Sequence, residues 1–426
     1  MGIILMTTNT IQKMSTNIVF ILLALLAFNQ TLFAQDYNFT AAKNVLNGYV
    51  NTNKLAGGVI LVMKDGKELL HFASGMQDIE ANKAMQTDSI FRIASQTKAL
   101  TAVGVMILKD RGLLKLADPV SKYIPSFKKT TVLIVNEDKS HSIVPAQREI
   151  TIHDLLTHTS GISYGGGPIE EQWKSIGLYG WYFADKDQSI AQALAPITTL
   201  PQQAQPGTDF VYGHNSDLLG VIIETVAKKS LKDFFDDEIT HPLEMKDTHF
   251  YLPPSKKNRL AAVYNGTDTV IKRADDADKI SDFKTSQGHY VEGPQKAYSG
   301  GGGLLSTAGD YAKLLSMLLN KGTLNGINIL SQASVEEMIS SQIPDIDMPW
   351  DGYGFGYGFG LTMANEGALK GKTIRYEWGG AYNTKYYVRP DDGVIVVYLT
   401  QLRPTKGLKD WAEIDAEISL ALGISN

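Results

Sequence analysis

The sequence FRIASQTK occupies residues 91–98 and leads directly into an apolar run, residues 99–108. Residues i and i+3 lie on one face of a helix, so a helix that begins near Ser95 brings the Lys98 amine next to the Ser95 hydroxyl. Because the run is apolar on nearly every side, we expect this helix to be buried and Lys98 to be shielded from water. A serine needs a neighbouring base to become a good nucleophile. The stretch therefore predicts a nucleophile, Ser95, activated by Lys98.

Short Ser-x-x-Lys matches also arise by chance, so the rest of the chain has to support this interpretation. Strand-like runs lie near both ends of the chain. They occupy residues 58–64, 68–74, 386–389 and 394–399. The first pair flanks Asp65-Gly66, a strong hairpin signal, and helical spacing precedes it at 36–53 and follows the second pair at 408–422. Strands from both ends can therefore share one antiparallel sheet flanked by the terminal helices.

Helical patterns dominate the middle of the chain. They cover residues 98–111, 152–156, 217–226 and 308–319. Residues 265–295 and 345–360 are polar or rich in Gly, Tyr and Asp, and we expect surface loops there. The sequence predicts an α+β fold with two regions: residues 35–94 and 300–426 form an α/β region with the antiparallel sheet, and residues 95–299 form a mostly helical region inserted into it.

The composition and the N-terminal sequence limit the classes of protein to which this chain can belong. Residues 1–34 combine Lys13, a short apolar run and a small residue at the end, which is typical of a signal peptide. An uncleaved anchor is the alternative, but the run is short for a spanning helix. We therefore expect an exported protein, periplasmic or secreted, without stable membrane insertion after cleavage. The absence of cysteine excludes disulfides and thiolate sites, and the net charge of -5 argues against nucleic acid as a partner.

Five blocks of sequence carry a family resemblance in a fixed order. They are residues 91–98, 112–125, 150–161, 206–212 and 301–307. In this order they resemble the serine β-lactamase and penicillin-binding superfamily, specifically class C β-lactamases and their carboxylesterase relatives. The resemblance implies a β-lactamase/transpeptidase-like fold. It also implies that Ser95 is acylated, that Lys98 partners the proton transfer and that Tyr212 supplies the second catalytic motif. A phenol accepts a proton near neutral pH only beside positive charge, which Lys98 can provide.

A third motif is expected on a strand before the last hairpin, where this chain has Trp378-Gly379-Gly380-Ala381. Glycine suits a strand against which a substrate acyl group lies, because a side chain would block the backbone. The resemblance implies an oxyanion hole formed by the backbone N–H groups of Ser95 and Ala381. It implies no metal and no organic cofactor.

Two departures from the β-lactamase pattern bear on the substrate. Trp378 stands where β-lactamases carry a cation near the drug carboxylate, and His214 stands where they usually carry asparagine. Either His214 or the next residue, Asn215, could contact the acyl group. A Trp-Gly-Gly motif resembles the carboxylesterase branch, so we expect a small-molecule ester substrate and weak β-lactamase activity. The alternatives are a D-amino-acid peptidase, a class C-type β-lactamase acting on amides or β-lactams, and a non-catalytic ligand-binding relative.

Residues 161–165, GISYG, match the Gly-x-Ser-x-Gly nucleophile motif. No strand precedes them and no helix clearly follows, so the required strand-turn-helix context is missing. His153 and His158 are five residues apart, which does not suit a metal site on one helix face. We expect His158 to support the turn that follows it by hydrogen bonding.

Overall fold

The structure is a computed structural model that describes residues 37–138, 140–276, 286–364 and 370–424. Residues 1–34, the predicted signal peptide, lie outside these ranges, so export stays a prediction. Within the described ranges, no helix has the length and the apolar character that crossing a membrane requires.

An eight-stranded antiparallel sheet forms the centre of the protein. In spatial order its strands are β12 (Tyr353–Phe355), β13 (Gly360–Met363), β14 (Thr373–Gly380), β15 (Thr384–Arg389), β16 (Val394–Thr400), β1 (Gly57–Lys64), β2 (Lys67–Asp78) and β3 (Lys83–Ala84). β1 pairs with β16, so strands from opposite ends of the chain meet in the middle of the sheet, as the strand-like runs near both ends predict. The α+β fold class is confirmed.

Both faces of the sheet are covered, because alternate residues of the central strands enter two different cores. Ile60 and Val62 of β1 pack with helices α1 (Thr40–Asn51) and α10 (Asp410–Leu422). Val59 and Leu61 point to the other face and join the larger core. A strand buried on both sides is apolar throughout, which is why β1 and β16 are continuous apolar runs.

The remaining helices are short, apart from three. They are α2 (Thr97–Asp110), α3 (Ile152–Leu156), α4 (Glu170–Ser175), α5 (Ile190–Leu194), α6 (Asn215–Ala227), α7 (Leu231–Phe235), α8 (Ala308–Leu319) and α9 (Gln332–Met338). Four small two-stranded ladders accompany them: β4 (Phe91–Arg92) with β9 (Leu305–Ser306), β5 (Thr131–Val135) with β6 (His141–Pro145), β7 (Tyr264–Gly266) with β8 (Ile271–Arg273), and β10 (Thr323–Leu324) with β11 (Ile327–Asn328).

Helix α2 is the buried helix that the apolar run predicts. Every residue from Thr97 to Leu108 is buried. A Cβ atom at Gly104 would come within 3.0 Å of Ile223 and 3.1 Å of Phe234, so α6 and α7 pack closely on α2 at this glycine. The first turn of α2 is thereby held inside the protein, between the sheet and the other helices.

Two segments expected to be loops contain strands. The stretch 265–295 begins in β7 and contains β8, and the stretch 345–360 contains β12 and the first residue of β13. Short edge strands with several glycines carry little apolar alternation, so the pattern did not predict them. The division of the chain at residues 95 and 300 stays a prediction.

Asp154 is a buried carboxylate that organises the start of α3. Arg148 donates two hydrogen bonds to it, at 2.5 and 2.9 Å, and the Thr151 N–H donates a third at 2.8 Å. Burial alone would raise the pKa of Asp154, but the bonds from Arg148, His153 and Thr151 outweigh burial and lower the pKa. The ionised form is therefore the form that the fold stabilises.

We expect the substitution Asp154→Asn to destabilise the protein by about 2 kcal/mol at pH 7, because it leaves Arg148 without its buried partner while Arg148 itself is partly solvated. A lowered folded-state pKa contributes stability above the unfolded value of about 4, and this contribution is lost as the pH falls. Thermal unfolding of both proteins at pH 7 and pH 3 should therefore show a difference in midpoint that shrinks in acid. Asp345→Asn, at an exposed position, is the control. A constant difference at both pH values would contradict the assignment.

Candidate active site

Ser95 lies in a short 3-10 helix, Ala94–Gln96, between β4 and α2. The chain turns sharply here, and Ala94 has a φ of 42°, in the left-handed region that costs a non-glycine residue about 1–2 kcal/mol. Ser95 is partly exposed, whereas the residues on either side of it are buried. The turn therefore presents one hydroxyl group at the surface of an otherwise closed core.

Lys98 is 2% exposed and its ammonium group has three partners. Nζ lies 3.2 Å from Ser95 Oγ, 3.0 Å from Tyr164 Oη and 2.7 Å from the carbonyl oxygen of Gly301. Within the described part of the chain, Lys98 forms no ion pair with a carboxylate. The Lys98 amine and the Ser95 hydroxyl group are therefore close enough for a proton to pass between them.

The Gly301 carbonyl is held in place by Asp217, a fully buried residue of α6. Asp217 Oδ1 accepts hydrogen bonds from the Gly301 N–H at 3.0 Å and from Ser299 Oγ at 2.5 Å. A Cβ atom at Gly301 would lie 2.5 Å from Asp217 Oδ2, so only glycine fits against the carboxylate. Asp217 is thus a positioning residue for Lys98. The sequence analysis did not assign Asp217, which lies in the polar first turn of its helix.

Tyr212 lies beside Lys98, but the contact is with its ring. Lys98 Nζ is 4.6 Å from the centroid of the Tyr212 ring, a cation-π distance. The Tyr212 hydroxyl accepts a hydrogen bond from Trp378 Nε1 at 3.0 Å. Tyr212 therefore contacts the Lys98 ammonium group through its ring and the Trp378 indole through its oxygen.

The hydroxyl group that bonds Lys98 belongs to Tyr164, a residue that the sequence analysis did not assign. Burial raises the pKa of Tyr164 well above its ordinary value, and the nearby Tyr212 and Asp217 add to this effect. Its ring packs edge to face on Tyr212, with centroids 5.7 Å apart. Tyr164 therefore stays protonated near neutral pH. The GISYG segment contributes this tyrosine to the site, and Ser163 has no such contact with Lys98.

Trp378 on β14 lies beside Tyr212. Besides its bond to Tyr212, its indole approaches Gly360 of β13, where a Cβ atom would be 2.8 Å from the ring. The Phe355 ring packs against it edge to face at 5.4 Å. Trp378 is therefore fixed in orientation by a hydrogen bond on one side and a glycine on the other.

The two residues after Trp378 are glycines with close neighbours, because other protein atoms leave no room for a side chain at either position. A Cβ atom at Gly379 would lie 2.9 Å from Lys385 Nζ, and one at Gly380 would clash with the carbonyl group of Ile93. Gly380 thus lets β14 approach the turn before Ser95. The expectation that both glycines also clear space for an acyl group stays a prediction.

Ala381 follows directly and packs in the same small apolar cluster as Ala94. The structure thereby brings Ala381 next to the turn that carries Ser95. This is the arrangement that the predicted oxyanion hole of the Ser95 and Ala381 N–H groups requires. Their role as donors stays a prediction.

His214 and Asn215 both lie inside the protein. Both side chains are completely buried. His214 Nε2 lies 3.1 Å from the Leu178 carbonyl oxygen, and the ring stacks on Trp173 at a centroid distance of 6.1 Å. These contacts give His214 a structural role, and the contact of His214 or Asn215 with an acyl group stays a prediction.

Asn215 instead holds the loop that carries Tyr164. Its Nδ2 donates to His158 Nδ1 at 2.9 Å and to the Ile162 carbonyl oxygen at 3.2 Å, and its Oδ1 accepts from Ser160 Oγ. Burial, and next the charge of Lys98, lower the pKa of His158 well below its ordinary value, so its ring is neutral and can accept this bond. His158 supports its turn through Asn215.

Comparison with known proteins agrees with this geometry. A family model described as Beta-lactamase matches residues 42–419. Protein Rv1367c of Mycobacterium tuberculosis is 33% identical over 384 residues, which cover 86% of this chain and 91% of that protein. Esterase EstB of Burkholderia gladioli is 27% identical over 390 residues, covering 88% and 93%.

Among solved structures, EstCE1, described as a hydrolase with promiscuous acyltransferase activity, superposes with a TM-score of 0.71 at 24% identity, covering 89% of this chain and 97% of that one. This likeness concerns the fold. It confirms the fold that the five sequence blocks predict.

Proposed function

The chain belongs to the beta-lactamase family, and we propose that it is a serine hydrolase that cleaves small, uncharged esters through an acyl-enzyme on Ser95. The observation that carries the proposal is the position of Lys98 Nζ, within 3.2 Å of Ser95 Oγ and bonded to Tyr164 and Gly301 without a carboxylate partner. A buried amine of this kind suits proton transfer from a nucleophilic serine.

The proposed reaction has two steps. Ser95 Oγ attacks the ester carbonyl carbon while its proton passes to the Lys98 and Tyr212 pair, and the N–H groups of Ser95 and Ala381 hold the developing oxyanion. The C–O bond to the alcohol breaks, and the same pair returns the proton to the leaving alkoxide. Water then attacks the acyl carbon, releases the acid and restores the Ser95 hydroxyl group. An alcohol in place of water would give acyl transfer from the same intermediate.

The preference for esters over β-lactams rests on Trp378. In the position where β-lactamases carry a cation, this chain presents an indole whose N–H is already bonded to Tyr212. An indole cannot neutralise the carboxylate of a β-lactam. The names of two relatives, an esterase and a hydrolase with acyltransferase activity, support the same preference.

The test combines covalent labelling with a comparison of substrates. A fluorophosphonate should add one adduct per chain, on the peptide that contains Ser95, and the Ser95→Ala protein should stay unlabelled. We expect kcat/KM for p-nitrophenyl butyrate to exceed that for nitrocefin by at least about tenfold, because only the ester lacks a carboxylate. Faster nitrocefin turnover would support a β-lactamase. Labelling without turnover of either substrate would support a peptidase, and absence of labelling a non-catalytic binder.

A further inference from the structure

A row of aromatic rings leads from the site to the surface. The Tyr212 and Trp378 centroids are 5.6 Å apart, and Trp350 follows at 6.3 Å from Trp378 with the ring planes at 79°. Tyr353 of β12 packs against Trp350, with ring centroids 5.8 Å apart. Trp350 is 50% exposed, although the other rings of this row are largely covered. The row therefore ends in an indole with unused apolar surface.

Trp350 is the most exposed ring of this row, because Tyr212, Trp378 and Tyr353 are each more than half covered. Trp378 is covered by Gly360 on one side and bonded to Tyr212, and Tyr212 lies under Lys98. The edge-to-face packing of Trp350 on Trp378 leaves part of the Trp350 ring in solvent. Exposed indole surface gains free energy when an aromatic ring packs on it. An aromatic ring of a ligand that packs on Trp350 would extend this row of rings.

The charged residues around Trp350 restrict the charge of a ligand that can bind there. Asp345, Asp347 and Asp351 lie on the same segment, all three are exposed, and none forms an ion pair with a cation of the described residues. Unpaired carboxylates at the mouth of a cleft repel anions and act over about a Debye length at low salt. A ligand that reaches Trp350 is therefore uncharged or cationic.

We propose that Trp350 forms an outer subsite that binds an aromatic ring of an uncharged ester, and that the three carboxylates beside it disfavour esters that carry a carboxylate. This inference rests on the proposed function, since it names the substrate class of the same cleft. The ring can belong to the acyl group or to the alcohol, because both extend from the same carbonyl carbon at Ser95.

The test uses alkyl esters, so that the leaving group does not itself supply a ring. Ethyl 3-phenylpropanoate and ethyl butyrate form the acyl pair, and 2-phenylethyl acetate and ethyl acetate form the alcohol pair, all measured by acid release in a pH-stat. In one of the two pairs, Trp350→Ala should lower kcat/KM for the phenyl ester about fivefold to tenfold, mainly through KM, and leave the plain ester within about twofold. Trp350→Phe should retain most of the preference.

Two further variants separate the possible outcomes. Leu113→Ala, at an exposed residue beyond the far end of α2, should change neither ester of a pair. Ethyl 3-(4-carboxyphenyl)propanoate should be a poorer substrate than its uncharged parent, and Asp351→Asn should improve it severalfold at low salt but not at high salt. Equal losses for phenyl and plain esters, or no loss for either phenyl ester, would overturn the subsite. Ester turnover that survives Ser95→Ala would instead overturn the proposed function.

Discussion

Lys98→Met is expected to lower kcat/KM for p-nitrophenyl butyrate by about 1,000-fold or more, because a positioned acid-base group contributes roughly 100- to 10,000-fold. The amine lies 3.2 Å from Ser95 Oγ, and no carboxylate of the described residues is hydrogen-bonded to that oxygen. Methionine has a similar length and suits a position that is 2% exposed. The fold should therefore persist while the nucleophile loses its base.

Initial rates and the rate of fluorophosphonate labelling should fall together in this variant, since both require activated Ser95. Lys109→Met is the matched control, because Lys109 lies at the other end of the same helix and pairs with Glu337. It should keep ester turnover close to that of the unmodified protein. If Lys98→Met retained more than about a tenth of the activity, the proton would have another acceptor, and Tyr212 would be the first candidate.

Tyr212→Phe is expected to lower kcat/KM about 100- to 1,000-fold, and Tyr164→Phe only about tenfold. Both phenols contact Lys98, but only the Tyr212 oxygen accepts a hydrogen bond from an indole N–H, and Lys98 Nζ lies closer to the Tyr212 ring than to the Tyr164 ring. Tyr164 has a raised pKa and stays protonated, so its hydroxyl group orients the amine and does not take a proton. The difference between the variants tests this division of roles.

The measurement is kcat/KM for an acetate ester from pH 6 to pH 10 in both variants. Tyr164→Phe should keep the shape of the pH profile, because a group that stays protonated does not titrate in this range. Tyr212→Phe should lose activity at every pH. A larger loss in Tyr164→Phe than in Tyr212→Phe would reverse the assignment and make Tyr164 the proton acceptor.

The parts of the site that sequence reasoning predicted are local in the chain. Ser95 and Lys98 are one helical turn apart, and the hairpin around Asp65-Gly66 depends on adjacent residues, so spacing alone predicts both. Tyr212, Trp378 and Ala381 came from the family resemblance, and the structure brings all three to the turn that carries Ser95 or its lysine.

The parts that were missed depend on contacts between distant segments. Tyr164 reaches Lys98 because a loop with glycines at 161 and 165, both at positive φ, folds over the start of α2. Asp217 acts through the backbone of Gly301, a residue on a different segment. No local pattern encodes either contact. His214 was assigned to the substrate from its place in a motif, but its burial depends on the packing of Trp173 and Leu178 around it.

Because β1 pairs with β16, the central sheet can be completed only late in biosynthesis. A nascent chain emerges from the ribosome with β1 and β2 first, and β1 has no partner on its other side until the last strand has been made. Ala381 also follows late in synthesis, so the groove beside Ser95 is incomplete in a growing chain. Contacts of such long sequence separation slow folding and leave apolar strand edges uncovered, which chaperones recognise. The site around Ser95 is therefore complete only after synthesis of the chain is nearly complete.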